Sequence, residues 1–166
     1  THPMLWLIGC TGMLGREFAY RLSKEGIPFV GTGSDVDIAD TEKLETFINK
    51  TESSSYYASR EAKKDNKIDW IINCAAYTAV DKAEDEAEKA YRTNCTGALN
   101  IARTARAHGE KLIHISTDYV FDGSSGIPYT EDTPKSPINV YGKTKAESED
   151  LIAQAMTQYY IIRTSW

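Results

Sequence analysis

Residues 4–15, Met-Leu-Trp-Leu-Ile-Gly-Cys-Thr-Gly-Met-Leu-Gly, constrain the fold of this chain more than any other stretch. The apolar run Met4–Ile8 stops at a glycine, and glycines recur at 9, 12 and 15. Leu14, Phe18 and Leu22 then stand four apart. A short apolar run, a glycine turn and a helical period describe a buried strand passing directly into a helix. Glycines at intervals of three let the turn tighten, let backbone N–H groups approach an anion and let the helix pack on the strand. A pyrophosphate there would sit at the positive end of the helix dipole. A glycine triplet alone is a weak signal, and its place between the first strand and the first helix strengthens it.

The rest of the chain repeats the alternation. Pro28–Gly31, Ile68–Cys74, Lys111–Ser116 and Tyr159–Arg163 read as further strands. Helices are expected over 13–25, from an N-cap at Thr41 through Ile48, over 85–91, over 93–107 and over 141–156. Strands with continuous apolar runs between helices predict an α/β fold, a Rossmann-type doubly wound parallel sheet. Residues 51–66 are polar and Ser-rich, and read as a surface insertion, partly helical. The whole of 1–166 reads as one dinucleotide-binding domain, with 1–3 as a tag remnant before Met4. The chain stops on Trp166 just after the fifth strand, so a C-terminal substrate domain is expected to be absent.

Composition narrows the partners. At 41% hydrophobic and 26% charged, with a net charge of −5, the chain is of an ordinary globular kind. That balance does not suggest a nucleic-acid-binding surface, and no apolar run approaches the ~20 residues of a membrane span. Cys10, Cys74 and Cys95 stand apart without metal-ligand spacing, so no metal site is expected. They read as buried thiols in a reducing, cytoplasmic setting.

A second constellation carries the chemistry. Tyr141 and Lys145 are one helical turn apart at the start of the helix before strand five. Ile115-Ser116-Thr117-Asp118 closes strand four on the same carboxyl edge, where open α/β sheets bind ligands. Together they suit ketone reduction. Tyr141 would protonate the carbonyl oxygen, Thr117 would orient it, and Lys145 would lower the phenol pKa and hold the nicotinamide ribose. Strand two ends Val30-Gly31-Thr32-Gly33-Ser34, with neither an acid at Thr32 for a ribose nor an arginine for a 2′-phosphate. NADPH and NADH both remain open.

The runs Asn73–Glu84 (NCAAYTAVDKAE), His114–Gly123 (HISTDYVFDG), Val140–Lys145 (VYGKTK) and Arg163–Trp166 (RTSW) resemble the dTDP-4-dehydrorhamnose reductase family of extended short-chain dehydrogenases/reductases. The resemblance spans nearly everything except 51–66. It implies reduction of the 4-keto group of dTDP-4-dehydro-L-rhamnose with NADPH or NADH. By position it implies Thr117, Tyr141 and Lys145 as catalytic residues. Gly9, Thr11, Gly12, Met13, Leu14 and Gly15 match the family's pyrophosphate turn, and Asp37 and Ile38 the pair beside the adenine. Ala75, Ala76 and Tyr77 match the ribose loop, and Asn94 a supporting asparagine. Asp118, Tyr119, Val120 and Trp166, with Thr117 and Tyr141, match positions facing the nucleotide sugar. Plainer readings exist: Asp37 and Asn94 as helix caps, Tyr119 and Val120 as core. Two other functions fit a similar pattern. One is a non-catalytic NADP-binding subunit resembling the methionine adenosyltransferase β subunit, and the other a reductase or epimerase of another nucleotide sugar. Oligomerisation is open.

Overall fold

A computed structural model describes residues 2–54 and 66–165. Five parallel strands form one sheet in the order β2-β1-β3-β4-β5. They are β1 Leu5–Ile8, β2 Phe29–Thr32, β3 Trp70–Asn73, β4 Lys111–Thr117 and β5 Tyr159–Thr164. The switch from β1–β2 to β1–β3 pairing puts a crevice at the carboxyl end of β1, directly over the glycine turn. The α/β architecture read from the alternation is the one observed.

The β1 residues alternate between two cores, as a sheet covered on both faces requires. Trp6 and Ile8 join the cluster formed with α2 (Thr41–Ser53) and α5 (Ala98–His108), where Trp6 stacks on Phe47 at 4.6 Å. Leu5 and Leu7 pack with Leu22 of α1 (Met13–Lys24). The Trp6 indole N–H is satisfied by the buried Thr32 hydroxyl at 2.9 Å.

Four local expectations are corrected. The N-cap of α2 is Asp40, not Thr41: its carboxylate accepts from the N–H groups of Glu42 and Lys43 at 3.0 and 3.3 Å. That helix runs on to Ser53, which takes in the start of the expected insertion, while 55–65 lie outside the described residues. The helix expected over 85–91 is α4 Ala87–Tyr91, starting two residues late, and an unexpected short helix, α3 Val80–Ala83, precedes it across the acidic run Glu84–Glu86. The next helix begins earlier than read, in a π-helical turn over Arg92–Gly97 that continues into α5. Of the cysteines, Cys95 is buried while Cys10 and Cys74 are only half-buried, and all three are free thiols. No helix among the described residues is long and apolar enough to cross a membrane.

Candidate active site

The glycine turn is shaped by backbone contacts. Gly9 has φ +79°, and a Cβ there would lie 2.6 Å from the Ala75 nitrogen. A Cβ on Gly15 would lie 2.0 Å from the Gly9 carbonyl oxygen, so α1 can approach β1 only through glycine. Gly12 is different: its Cβ would meet nothing nearer than 3.5 Å, and no side chain caps α1 there. The glycines at 9 and 15 serve packing, and the one at 12 leaves the helix N-terminus open.

From that N-terminus a cleft of about 410 Å³ crosses the carboxyl edge of the sheet. Gly12, Met13, Leu14 and Gly15 line one end, and Thr117, Tyr119, Tyr141 and Lys145 the other, with Cys74 and Ala76 between. The phenol, ammonium and threonine hydroxyl read from sequence therefore share one cleft with the turn.

α6 (Val140–Ala155) starts with the Asn139 side chain accepting from the Gly142 N–H at 2.7 Å. Gly142 lets α6 lie against the chain after β4, since a Cβ there would be 2.3 Å from the Tyr119 carbonyl oxygen. Tyr141 is thereby wedged among Ala83, Ala90, Tyr77 and Val80, with the Tyr119 ring edge-on at 5.5 Å. Lys145 is 2% exposed and donates to the Ile115 carbonyl at 2.7 Å. Burial lowers its pKa to about 8, opposed first by the charge of Glu149. The Tyr141 pKa moves the other way from the expectation. Burial raises it, a hydrogen bond with Thr117 partly opposes that, and the Lys145 ammonium is spent on a backbone carbonyl.

Asn94 is not a cap. Set in the π-helical turn, it accepts from the Tyr77 N–H at 2.8 Å and donates to the Tyr77 carbonyl at 3.1 Å and the Thr144 hydroxyl at 2.9 Å. Thr144 in turn donates to the Tyr141 carbonyl at 2.8 Å. The loop after β3 and the start of α6 are thus tied by one amide. Asn73 holds the same loop by accepting from the Ala75 N–H at 3.0 Å.

Several other expected residues stand apart from the cleft. Ile38 is a core side chain. Asp37 does not cap the helix that follows, a place taken by Asp40; it accepts from the Ala39 N–H in the turn before it and is gripped by Arg92 at 2.6 and 3.2 Å. The Tyr77 hydroxyl turns outward to Glu86. Thr11 packs on Gly33, where a Cβ would lie 2.8 Å from its hydroxyl. Val120 is core and Tyr119 is exposed, so the core reading held for one of the pair. Asp118 follows Thr117 at the mouth of the cleft, its carboxylate 3.2 Å from the Thr117 hydroxyl. Trp166 lies outside the described residues.

Sequence reading missed Arg92, His114 and Glu149. Buried His114 lies between Asn73 and Ser148, each at 3.2 Å, and burial holds it neutral, well below the ordinary histidine pKa. With Nδ1 accepting from the Asn73 amide, Nε2–H donates to Ser148, whose hydroxyl donates to the Lys145 carbonyl at 2.7 Å. Nothing in local spacing announces these contacts, because each joins elements far apart in the chain.

A family model described as RmlD substrate binding domain matches residues 4–166. The dTDP-4-dehydrorhamnose reductase of Mycolicibacterium smegmatis is 37% identical over 162 residues, 96% of this chain and 44% of that protein. That of Salmonella typhimurium is 38% identical over 160 residues, 96% of this chain and 50% of its own length. The Bacillus anthracis dTDP-4-dehydrorhamnose reductase, solved with NADP, superposes with a TM-score of 0.87 at 32% identity, covering 100% of this chain and 54% of that one. This chain spans about half the length of the curated relatives it matches.

Proposed function

The chain belongs to the dTDP-4-dehydrorhamnose reductase family, and from that premise we propose that its carboxyl-edge cleft binds NADPH or NADH for the reduction of dTDP-4-dehydro-L-rhamnose at its 4-keto group. The observation that carries this reading is the shared cleft: an open helix N-terminus at one end, and Thr117, Tyr141 and Lys145 at the other. The residues fit a dinucleotide. Gly12 leaves the first-turn N–H groups of α1 accessible to a pyrophosphate, and Lys145 supplies a buried cation for ribose hydroxyls.

The bound nicotinamide supplies hydride to the carbonyl carbon. This chain then has to put a proton on the oxygen. Tyr141 is a neutral phenol near pH 7, the form that donates. Thr117 bonds that phenol and directs the ketone oxygen toward it. Negative charge left on the phenol is met first by the Thr117 hydroxyl, with the Lys145 ammonium of the same cleft as the buried cation available to it. Tyr119 lines the Thr117 end, where the nucleotide sugar would enter, and the Asp118 carboxylate stands beside the Thr117 hydroxyl.

The test is NADPH oxidation by the complete polypeptide on addition of dTDP-4-dehydro-L-rhamnose, with Tyr141→Phe beside it. We expect substrate-dependent oxidation that falls by roughly 10²–10⁴-fold in the variant, the usual worth of a general acid, with cofactor affinity retained. Cofactor binding without substrate-dependent oxidation would identify a binding subunit instead. Oxidation with a different keto sugar alone would move the assignment to a sibling enzyme.

A further inference from the structure

Below the cleft, one helical turn beyond Lys145, Glu149 is 3% exposed. Its carboxylate is enclosed by donors from three directions. The Ser116 hydroxyl donates at 2.6 Å, Arg163 donates from Nε at 3.0 Å and from its terminal nitrogen at 2.7 Å, and the Lys135 ammonium stands at 3.6 Å. Lys135 also pairs with exposed Asp150, and Arg163 reaches the Glu131 carbonyl at 3.4 Å.

Lys145 lacks such enclosure. Its hydrogen-bond acceptor is the neutral Ile115 carbonyl. The titratable groups that face it are Cys74 at the end of β3, Cys95 in the π-helical turn, His114 on β4, and Tyr141 and Glu149 on α6. Burial pushes both thiols up to about 12, holds His114 neutral and raises the Tyr141 phenol. Asp118 faces the phenol rather than the ammonium. Glu149 is the one carboxylate of that set.

We propose that Glu149 is a positioning residue of this site: its carboxylate keeps Lys145 cationic and, through Ser116, fixes the strand end that presents Thr117. The role in reduction rests on the reading of the cleft above, while the charge relation to Lys145 does not. Positions four apart on a helix have Cβ atoms about 5–6 Å apart. An opposite charge on the same helix face favours the charged form of a buried lysine.

The experiment is an NMR titration of the Lys145 side-chain nitrogen in the cofactor-free chain, assigned with Lys145→Arg, for the native protein, Glu149→Gln, Glu149→Asp and Arg163→Met. We expect a native midpoint of about 8. It should fall by roughly one pH unit in Glu149→Gln, stay near native in Glu149→Asp, and rise in Arg163→Met, where the carboxylate acts on Lys145 without a competing guanidinium. A packing role alone would move both charge-removing variants the same way, or neither, and either result overturns the proposal. If Glu149→Gln does not fold, the double variant Glu149→Gln/Arg163→Met decides: a midpoint below that of Arg163→Met alone supports the proposal, and an equal or higher one overturns it. NADPH affinity against pH, measured on the same proteins, should lose its alkaline limb in step with each midpoint. Midpoints that shift as stated with no NADPH binding at any pH would sink the cleft reading and leave the Glu149–Lys145 relation standing.

Discussion

Strand β4 meets buried polar groups at both ends, and the two ends are built on opposite terms. At the carboxyl end, Ser116 donates to Glu149, Thr117 accepts from the Tyr119 N–H, and His114 links Asn73 to Ser148. At the amino end, Glu110 is 1% exposed and neither carboxylate oxygen has a hydrogen-bond partner among the described residues; nearby in the chain, the Thr104 hydroxyl on α5 has none among them either. Buried polarity is costly unless it is satisfied. The carboxyl end meets that cost with a network whose directions are fixed, which is what a site needing preset geometry requires. The amino end carries the cost unmet.

The contrast extends to pH. Burial pushes Glu110 from 4.5 up to about 7, so it binds a proton more tightly folded than unfolded. Its contribution to stability is fully present below about pH 4.5 and is lost as pH rises through 7. His114 is depressed below 6.5, so its contribution is present above 6.5 and lost as pH falls beneath it.

The comparison can be broken most sharply at the glycine turn. Gly15→Ala should cost roughly 3 kcal/mol or more, because the added Cβ would lie 2.0 Å from a backbone oxygen that cannot move aside. Gly12→Ala should melt near the native temperature and weaken NADPH binding; equal melting temperatures for the two variants would refute the division of labour between these glycines. Next, His114→Leu leaves the Asn73 amide N–H without its acceptor and takes one of two partners from the Ser148 hydroxyl, which keeps the Lys145 carbonyl. We expect a loss of roughly 2–3 kcal/mol in urea denaturation at pH 8, shrinking at pH 5.5, where the native protein has already lost part of that contribution. Glu110→Gln should have the opposite sign, a gain of roughly 2 kcal/mol at pH 8 and a small fraction of that at pH 5. A pH-independent effect would mean that Glu110 ionises normally. The smallest effect belongs to the exposed Arg92–Asp37 pair. Arg92→Ala should change stability by less than about 1 kcal/mol, and less still in high salt.

Much of the fold was legible because its signals are local. Apolar runs and the glycine triplet gave five strands, their parallel arrangement and the glycine turn within a residue or two. Tyr141, Lys145 and Thr117 could be nominated because the strand ends of an open sheet share an edge. What stayed hidden depends on contacts distant in sequence. Asn94 is helical, so its local pattern says cap or surface; its use is set by Tyr77 and Thr144. Glu149 looks like one more charge on a helix until Arg163 and Ser116 close around it. The pKa of Tyr141 was misjudged because a four-residue spacing predicts proximity to Lys145 but not how deeply the phenol is buried, nor that the ammonium bonds a carbonyl.

The central claim is that one end of the sheet is a preset dinucleotide cleft. A crystal structure of this chain grown with saturating NADPH tests it directly. The account predicts pyrophosphate oxygens on the backbone N–H groups of residues 12–15 and the nicotinamide ribose within hydrogen-bond reach of Lys145, with the Asn73–His114–Ser148 contacts unchanged. A cleft without cofactor under those conditions, or a nicotinamide turned away from Tyr141, would contradict it.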